Sequence, residues 1–252
     1  MRLSTFQRLA SQKRADGVYT WERCRQGNTP GIVSAEMRSG MDAVRKNFDP
    51  EAALWDKDPG RVKVAADIAR AVIAEARLTS DTDVLDFGCG TGLISLALQP
   101  FVRSVTGMDS SRGMLDVLRN KIAVNHIGNV KGVLLDPETA GVLTGHYHLV
   151  VCSMTLHHIQ AVEPLLGQFY QVLNPAGLVC IADLDADGGR FHSSSDGVFH
   201  SGFSREAMQR KLLTAGFRDI HVMQASQIEK PVGDNRIEVF TVFLMTGRKS
   251  FP

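Results

Sequence analysis

Apolar runs that end on an acid alternate along this chain with segments of helical periodicity. That rhythm predicts an α/β protein with a doubly wound, mostly parallel sheet and helices on both faces. Two stretches carry the prediction. Val84-Leu85-Asp86-Phe87 runs into Gly88-Cys89-Gly90-Thr91-Gly92 and then into a helical segment from Leu93. Residues 147–152 are nearly all apolar, as expected of a strand covered on both faces. With 252 residues the chain accommodates one sizeable domain with decoration.

Residues 1–40 differ from the rest. Arg2, Arg8, Lys13, Arg14, Arg23, Arg25 and Arg38 stand against Asp16, Glu22 and Glu36, and no acid falls before Arg14. Leu3, Phe6, Leu9 and Ala10 share one helical face, which is compatible with a short organelle-targeting leader; the apolar run of a secretory signal is missing. The plainer readings are a flexible extension or sequence ahead of a start at Met37 or Met41. The expected organisation is therefore a basic, flexible extension over 1–40 and a folded domain over 41–252, opened by a cap segment at 41–60.

Asp58-Pro59-Gly60 opens the first helix, in which Val62, Ala65, Ile68, Ala69, Val72, Ile73 and Ala76 recur at helical spacing through Leu78. After the glycine turn, residues 93–98 are helical and Pro100 marks the end. Residues 104–108 form a second strand ending at Asp109, and Ser110 is placed to cap a helix over 112–125. Residues 130–135 form a third strand ending at Asp136-Pro137, and 147–152 a fourth. A helix over 161–173 closes at Asn174-Pro175-Ala176-Gly177, and 178–184 is the fifth strand. Residues 185–203, rich in Gly, Ser, Asp and His, are too long for an ordinary connection and read as a functional or disordered loop. A helix starts at Ser204 and runs to Ala215-Gly216. Residues 220–224 and 239–246 form a late hairpin at one sheet edge, turning at 231–235.

The charge balance is 28 Lys+Arg against 27 Asp+Glu, a formal +1, which argues against a duplex nucleic-acid binder. No apolar run reaches the ~18 residues of a membrane span. Cys24, Cys89, Cys152 and Cys180 are widely separated, with no metal spacing. Cys89, Cys152 and Cys180 sit in apolar strands or turns, so reduced core thiols in a cytoplasmic-type compartment are expected.

The glycine turn brings backbone close to a nucleotide-sized ligand. The dinucleotide fingerprint needs G-x-G-x-x-G, whereas the spacing here is Gly88-x-Gly90-x-Gly92 with Leu93 at the sixth position, which disfavours an NAD-type oxidoreductase. On Val84 to Gly92, on Thr106-Gly107-Met108-Asp109-Ser110-Ser111, on Leu156-His157-His158-Ile159 and on Val172-Leu173-Asn174-Pro175-Ala176-Gly177-Leu178, the chain from about Phe48 onward resembles the class I S-adenosylmethionine-dependent methyltransferases. More narrowly it is similar to the small-molecule group related to quinone biosynthesis. The resemblance implies a Rossmann-like sheet of seven strands with an antiparallel C-terminal strand, and S-adenosylmethionine as methyl donor, leaving S-adenosylhomocysteine.

Carried onto this sequence, the resemblance assigns the cofactor to Asp86, Gly88, Cys89, Gly90, Thr91, Gly92, Asp109, Ser110, Met114, Asp136, Pro137 and Ser153. Asp109, ending the second strand, is placed to accept both ribose hydroxyls; capping the next helix is its plain alternative. Asp86 is a partner for the ligand amine, directly or through water, or else a solvent-exposed strand end. Asp136 fits the acid that takes the adenine amine. Pro137 departs from the pattern, because it lacks the N–H used for adenine N1. Met108 and Met114 suit either adenine packing or the core.

The stretch after the fourth strand, Ser153 to His158, carries neither the signature of enzymes that methylate nucleic-acid amines nor an acid for magnesium. A small-molecule acceptor with no resident metal is expected. His157, His158, His192 and His200 are candidates for a base or substrate contact, with a structural role as the alternative for the His pair. Trp55, Met154, His192, His200 and Phe203 are candidate acceptor-pocket residues. The rival expectation is a non-catalytic cofactor-binding or partner-regulating protein of the same fold.

Overall fold

The computed structural model describes residues 12–13, 19–20, 46–135, 143–192, 194–232 and 236–250. The chain divides into two compact units, Met1–Ala43 and Val44–Pro252. In the first, β1 (Gln12–Lys13) and β2 (Tyr19–Thr20) form a short antiparallel pair. Most of the basic extension lies outside the described residues.

The second unit opens with a 3-10 helix, Asp49–Lys57, followed by α1 (Pro59–Ala76). Asp58 caps α1 by accepting from the N–H groups of Gly60 (2.8 Å) and Arg61 (3.2 Å), and Pro59 fills the first turn, where no N–H partner is needed. Val64, Ile68 and Val72, four residues apart, form the buried stripe. Then come β3 (Asp83–Phe87), α2 (Leu93–Leu98), β4 (Ser104–Asp109), α3 (Arg112–Val124), β5 (Val130–Leu134) and β6 (Tyr147–Ser153). The chain ends with α4 (Val162–Val172), β7 (Leu173–Leu184), α5 (Arg205–Thr214), β8 (Arg218–Val232) and β9 (Arg236–Arg248).

The sheet has seven strands in the order β5-β4-β3-β6-β7-β9-β8, and β9 runs antiparallel to both its neighbours. This is the expected Rossmann-like architecture. β3 pairs with β4 on one side and β6 on the other, so the strand order reverses at β3. The carboxyl ends of β3 and β6 therefore frame the switch-point crevice where open α/β sheets bind ligands. Alternate residues of β6 supply the two faces: Val150 and Cys152 pack into the cluster around Phe169 and Phe243, and Leu149 and Val151 into the one around Ile68 and Leu118. Cys89, Cys152 and Cys180 are free, buried thiols.

Several expectations need correction. Ser111, not the exposed Ser110, caps α3: its hydroxyl accepts from Met114 N–H at 3.1 Å, because Asp109 Oδ1 takes Ser111 N–H at 2.9 Å and turns the chain one residue later. The expected turn at 174–177 lies inside β7, where Leu173 already pairs with Tyr147 and the register then shifts, with Ala176 at φ 61°. β8 is far longer than 220–224; a register shift between Gln224 and Ser226 interrupts its alternation, and Ser226 Oγ donates to Asp67 of α1 at 2.6 Å. As the strand over 147–152 expects, His148 lies within β6; it is exposed, and its Nδ1 accepts Asp83 N–H at 3.1 Å. Asp136, Pro137 and the hairpin residues 233–235 lie outside the described residues.

Candidate functional site

The glycine turn leaves β3 sharply because the N–H groups of Gly88 and Cys89 both donate to Met108 O of β4, at 2.8 and 3.0 Å. Two of its glycines are required by packing. A Cβ on Gly88 (φ 73°) would lie 2.2 Å from Thr155 Oγ1, and one on Gly92 (φ 80°) 2.3 Å from Leu118 Cδ1. Gly90 (φ 53°) differs: a Cβ there would meet nothing within 4 Å. The middle of the turn faces open space, as a ligand-approach position must.

Two acids lie beside it. Asp109 ends β4 and accepts Gly90 N–H at 2.7 Å on Oδ2 and Ser111 N–H on Oδ1, which leaves a lone pair on each oxygen for a ligand. Burial raises its pKa, opposed by those same donors. Asp86 is buried, not solvent-exposed, and Ser95 Oγ at the start of α2 donates to it at 2.6 Å. Burial pushes its carboxyl up to about 6, against the Ser95 hydrogen bond and aided by the charge of Asp109. Ser95 was not among the expected residues, although its position one turn into the helix after the glycines marks it.

The 3-10 helix lies against the same edge and is pinned at two points. Asp49 accepts from Ser111 Oγ (2.5 Å) and Gly113 N–H (2.9 Å) at the start of α3. Asp56 accepts from Thr91 Oγ1 at 2.6 Å and pairs with Lys121, whose Nζ also donates to Thr91 O at 2.8 Å. Nothing local in the sequence points to Asp49, Asp56 or Lys121, whose partners are distant along the chain. Trp55 stacks under the Arg61 guanidinium at 3.8 Å and meets Phe48 edge-on, with ring centroids 5.8 Å apart.

Beyond β6, Met154 adopts φ 50° and Thr155 Oγ1 donates to Ser153 O at 2.8 Å, turning the chain into a 3-10 turn, Leu156–His158. His157 is 3% exposed and its Nδ1–H donates to Asp183 Oδ1 at 2.6 Å. The buried Asp183 carboxylate also accepts Leu184 N–H at 2.8 Å and His157 N–H at 3.3 Å. His158 Nδ1–H donates to Gly197 O at 2.6 Å; a carbonyl only accepts, so the other nitrogen of the neutral ring carries the lone pair. The His157 and His158 ring centroids are 4.1 Å apart, and His192 lies 5.0 Å from His157. Burial first, then the neighbouring His157, lowers both His158 and His192 to about 4, so both rings are neutral near pH 7. His192 Nε2 is buried with no hydrogen-bond partner.

The structure thus brings His157, His158 and His192 together and adds Asp183 as their carboxylate. His200 stands apart, its Nε2–H donating to Ile159 O at 2.9 Å. Phe203 lies in the core, not in an open pocket, and joins the strand ends through N–H donation to Leu184 O at 2.8 Å. Met114 is buried, and Met154 packs on the α1–α3 side of the sheet. Among the described residues no group of three or more His, Cys, Asp or Glu is arranged to hold a metal ion, and no helix is long and apolar enough to cross a membrane.

A doubly wound sheet with a glycine turn at its switch point and an acid closing the adjacent strand is the arrangement by which open α/β sheets bind nucleotide-type ligands. Residues 55–229 match the family described as a methyltransferase domain, and the chain belongs to it. It is a class I methyltransferase that uses S-adenosylmethionine, as the sequence resemblance implied. It is 29% identical over 211 residues to an uncharacterized methyltransferase of Schizosaccharomyces pombe, covering 78% of this chain and 74% of that one. It is 25% identical to a ubiquinone biosynthesis O-methyltransferase of Shewanella halifaxensis, covering 55% of this chain and 57%, little over half, of the relative. Phosphoethanolamine N-methyltransferase 2 of Haemonchus contortus, solved with S-adenosyl-L-methionine, has the same fold: TM-score 0.60 at 15% identity, covering 82% of this chain and 61% of that one.

Proposed function

We propose that this enzyme methylates a small organic acceptor, with its methyl donor held by the glycine turn and Asp109 and its acceptor enclosed between the 3-10 helix, the turn after β6 and the 185–203 loop. The observation that carries the reading is the half-buried Asp109 carboxylate, bonded to the N–H of the one glycine in the turn that faces open space. Asp109 holds the ribose hydroxyls, Asp86 attracts the amine, and Gly88 to Gly92 with Cys89 and Thr91 line the sugar and methionine portion. Ser110, Ser153, Met114, Asp136 and Pro137 complete the cofactor set. The bound sulfonium supplies an already activated methyl group, so the protein's task is alignment and exclusion of water. Phe48, Trp55 and the histidine group form the acceptor side, with Met154, His200 and Phe203 supporting it. Near-balanced charge fits a small acceptor better than a nucleic acid, and buried reduced thiols fit a cytoplasmic-type compartment.

Isothermal calorimetry with S-adenosylhomocysteine tests the reading: one-to-one binding is expected, and absence of binding by both it and S-adenosylmethionine overturns it. The affinity should also depend on pH. The folded, ligand-free Asp86 carboxyl is raised to about 6, and pairing with the ligand's ammonium favours its ionised form. Binding therefore releases a proton below that pH and weakens by up to ~10-fold per pH unit as the pH falls from about 6 towards the lower pKa of the complex. Titrations at pH 5, 6, 7 and 8 in buffers of different ionisation enthalpy read both effects; a flat profile with no proton release removes Asp86 from the site.

A further inference from the structure

Asp109 holds the glycine turn from the side of β4, and a lysine of α3 holds it through the next peptide. Thr91 O stands where the first carbonyl of a longer α2 would stand. The N–H one turn on, that of Ser95, goes to the Asp86 carboxylate instead, and Leu96 N–H donates to Gly92 O at 2.9 Å. Thr91 is buried, so its carbonyl needs another donor, and Lys121 Nζ supplies it at 2.8 Å.

The same ammonium pairs with Asp56, which accepts from Thr91 Oγ1 at 2.6 Å. Thr91, Asp56 and Lys121 thus close a ring of three contacts that joins the glycine turn, the 3-10 helix and α3. The 3-10 helix depends on such contacts. Nine residues is long for 3-10 geometry, whose hydrogen bonds are poorly aligned, and Ala52 is the one buried residue of the nine. Polar pins hold its ends instead: Asp49 at Ser111 and Gly113, and Asp56 at the ring. The pins flank the donor crevice, since Ser111 and Gly113 closely follow Asp109 and Thr91 directly follows Gly90.

Given the placement of the methyl donor at the glycine turn proposed above, we infer that Lys121 is a positioning residue for donor binding. It acts through Thr91 and Asp56, fixing the Gly90–Thr91 segment and the 3-10 helix in one arrangement. Without the ammonium, Thr91 O competes for Ser95 N–H and draws it from Asp86, the partner of the donor's amine. The Asp56 end of the 3-10 helix then keeps a neutral hydroxyl in place of a charge. The loss falls on donor binding more than on the fold. Lys121 and Asp56 are 22% and 29% exposed, and an ion pair in contact with solvent adds little stability.

Lys121→Met, Asp56→Asn and the double variant, each in the full chain, are titrated with S-adenosylhomocysteine by calorimetry, and the ligand-free proteins are unfolded thermally. Each single variant is expected to bind ~10-fold more weakly, as loss of one charge-assisted hydrogen bond near solvent gives. The double variant should bind no more weakly than the singles, because either change already opens the ring. Lys121→Arg, which keeps the charge and the N–H donors, should retain binding within ~3-fold. Arg119→Met, which breaks an exposed pair with Asp116 on the same helix, should bind as the unmutated chain does. Ligand-free Lys121→Met should unfold within about 4 °C of Arg119→Met. Lys121→Gln serves if the methionine variant does not fold. Undiminished affinity in Lys121→Met, losses that multiply in the double variant, an arginine variant as weak as the methionine one, or a large fall in ligand-free stability overturns the assignment. Binding by the unmutated chain separates the two failures: its absence sinks the donor site, its presence with undiminished Lys121→Met binding sinks Lys121 alone.

Discussion

Asp109→Ala should lower S-adenosylhomocysteine affinity by ~100-fold or more while the protein remains folded. Two hydrogen bonds from ligand hydroxyls to a carboxylate contribute about 1.5–3 kcal/mol each, and each 1.4 kcal/mol is tenfold. The same substitution frees the Gly90 and Ser111 N–H groups, so the turn loses its fixed position as well as its acceptor. Fold stability should change little, because removing a carboxylate whose burial is unfavourable offsets those two lost bonds. Calorimetry and thermal unfolding read the two effects separately. Retained affinity in Asp109→Ala would move the sugar contact elsewhere.

Gly88→Ala should act through the fold. The new methyl group would enter Thr155 Oγ1 at 2.2 Å and Cγ2 at 2.5 Å, and φ 73° is left-handed backbone that a side chain adopts at a cost. Strain of about 1–2 kcal/mol and overpacking of about 1–3 kcal/mol combine to about 2–5 kcal/mol of lost stability. Thr155→Ala should recover part of it by removing the clashing atoms. Gly90→Ala meets no atom, so it should cost about 1–2 kcal/mol in strain alone and lose ligand binding instead. Urea unfolding of the three variants separates these outcomes; equal destabilisation at Gly88 and Gly90 would contradict the packing described.

The contrast between those glycines shows what sequence reading reaches. The spacing Gly88-x-Gly90-x-Gly92 after an apolar strand located the crevice, and the acid ending the next strand located Asp109, because both signals are local. β3, α2 and β4 fall where periodicity places them. Ser111 displaced Ser110 as a cap because one side chain–backbone hydrogen bond decides between adjacent serines, and both satisfy the pattern. Asp49, Asp56 and Lys121 were not legible, since their partners lie 30 to 65 residues away. The histidines were visible as residues of a suggestive kind. That His157, His158 and His192 converge while His200 turns to Ile159 depends on how the loop folds back onto β6, which composition does not encode. The length of β8 was hidden by its register shift, which breaks the two-residue alternation that announces a strand.

β9 has a consequence for how the enzyme is made. It follows β8 in sequence, yet it lies between β7 and β8, and its Thr241 holds Asp185 at the start of the histidine loop. A chain emerging from the ribosome can pair β3 with β4 and β6 while this strand is still unsynthesised. Until β9 inserts, the far edge of β7 is open, a long apolar edge of the kind that invites aggregation. The strand that closes that edge also carries the Thr241 contact to Asp185, so one element both covers β7 and anchors the start of the histidine loop.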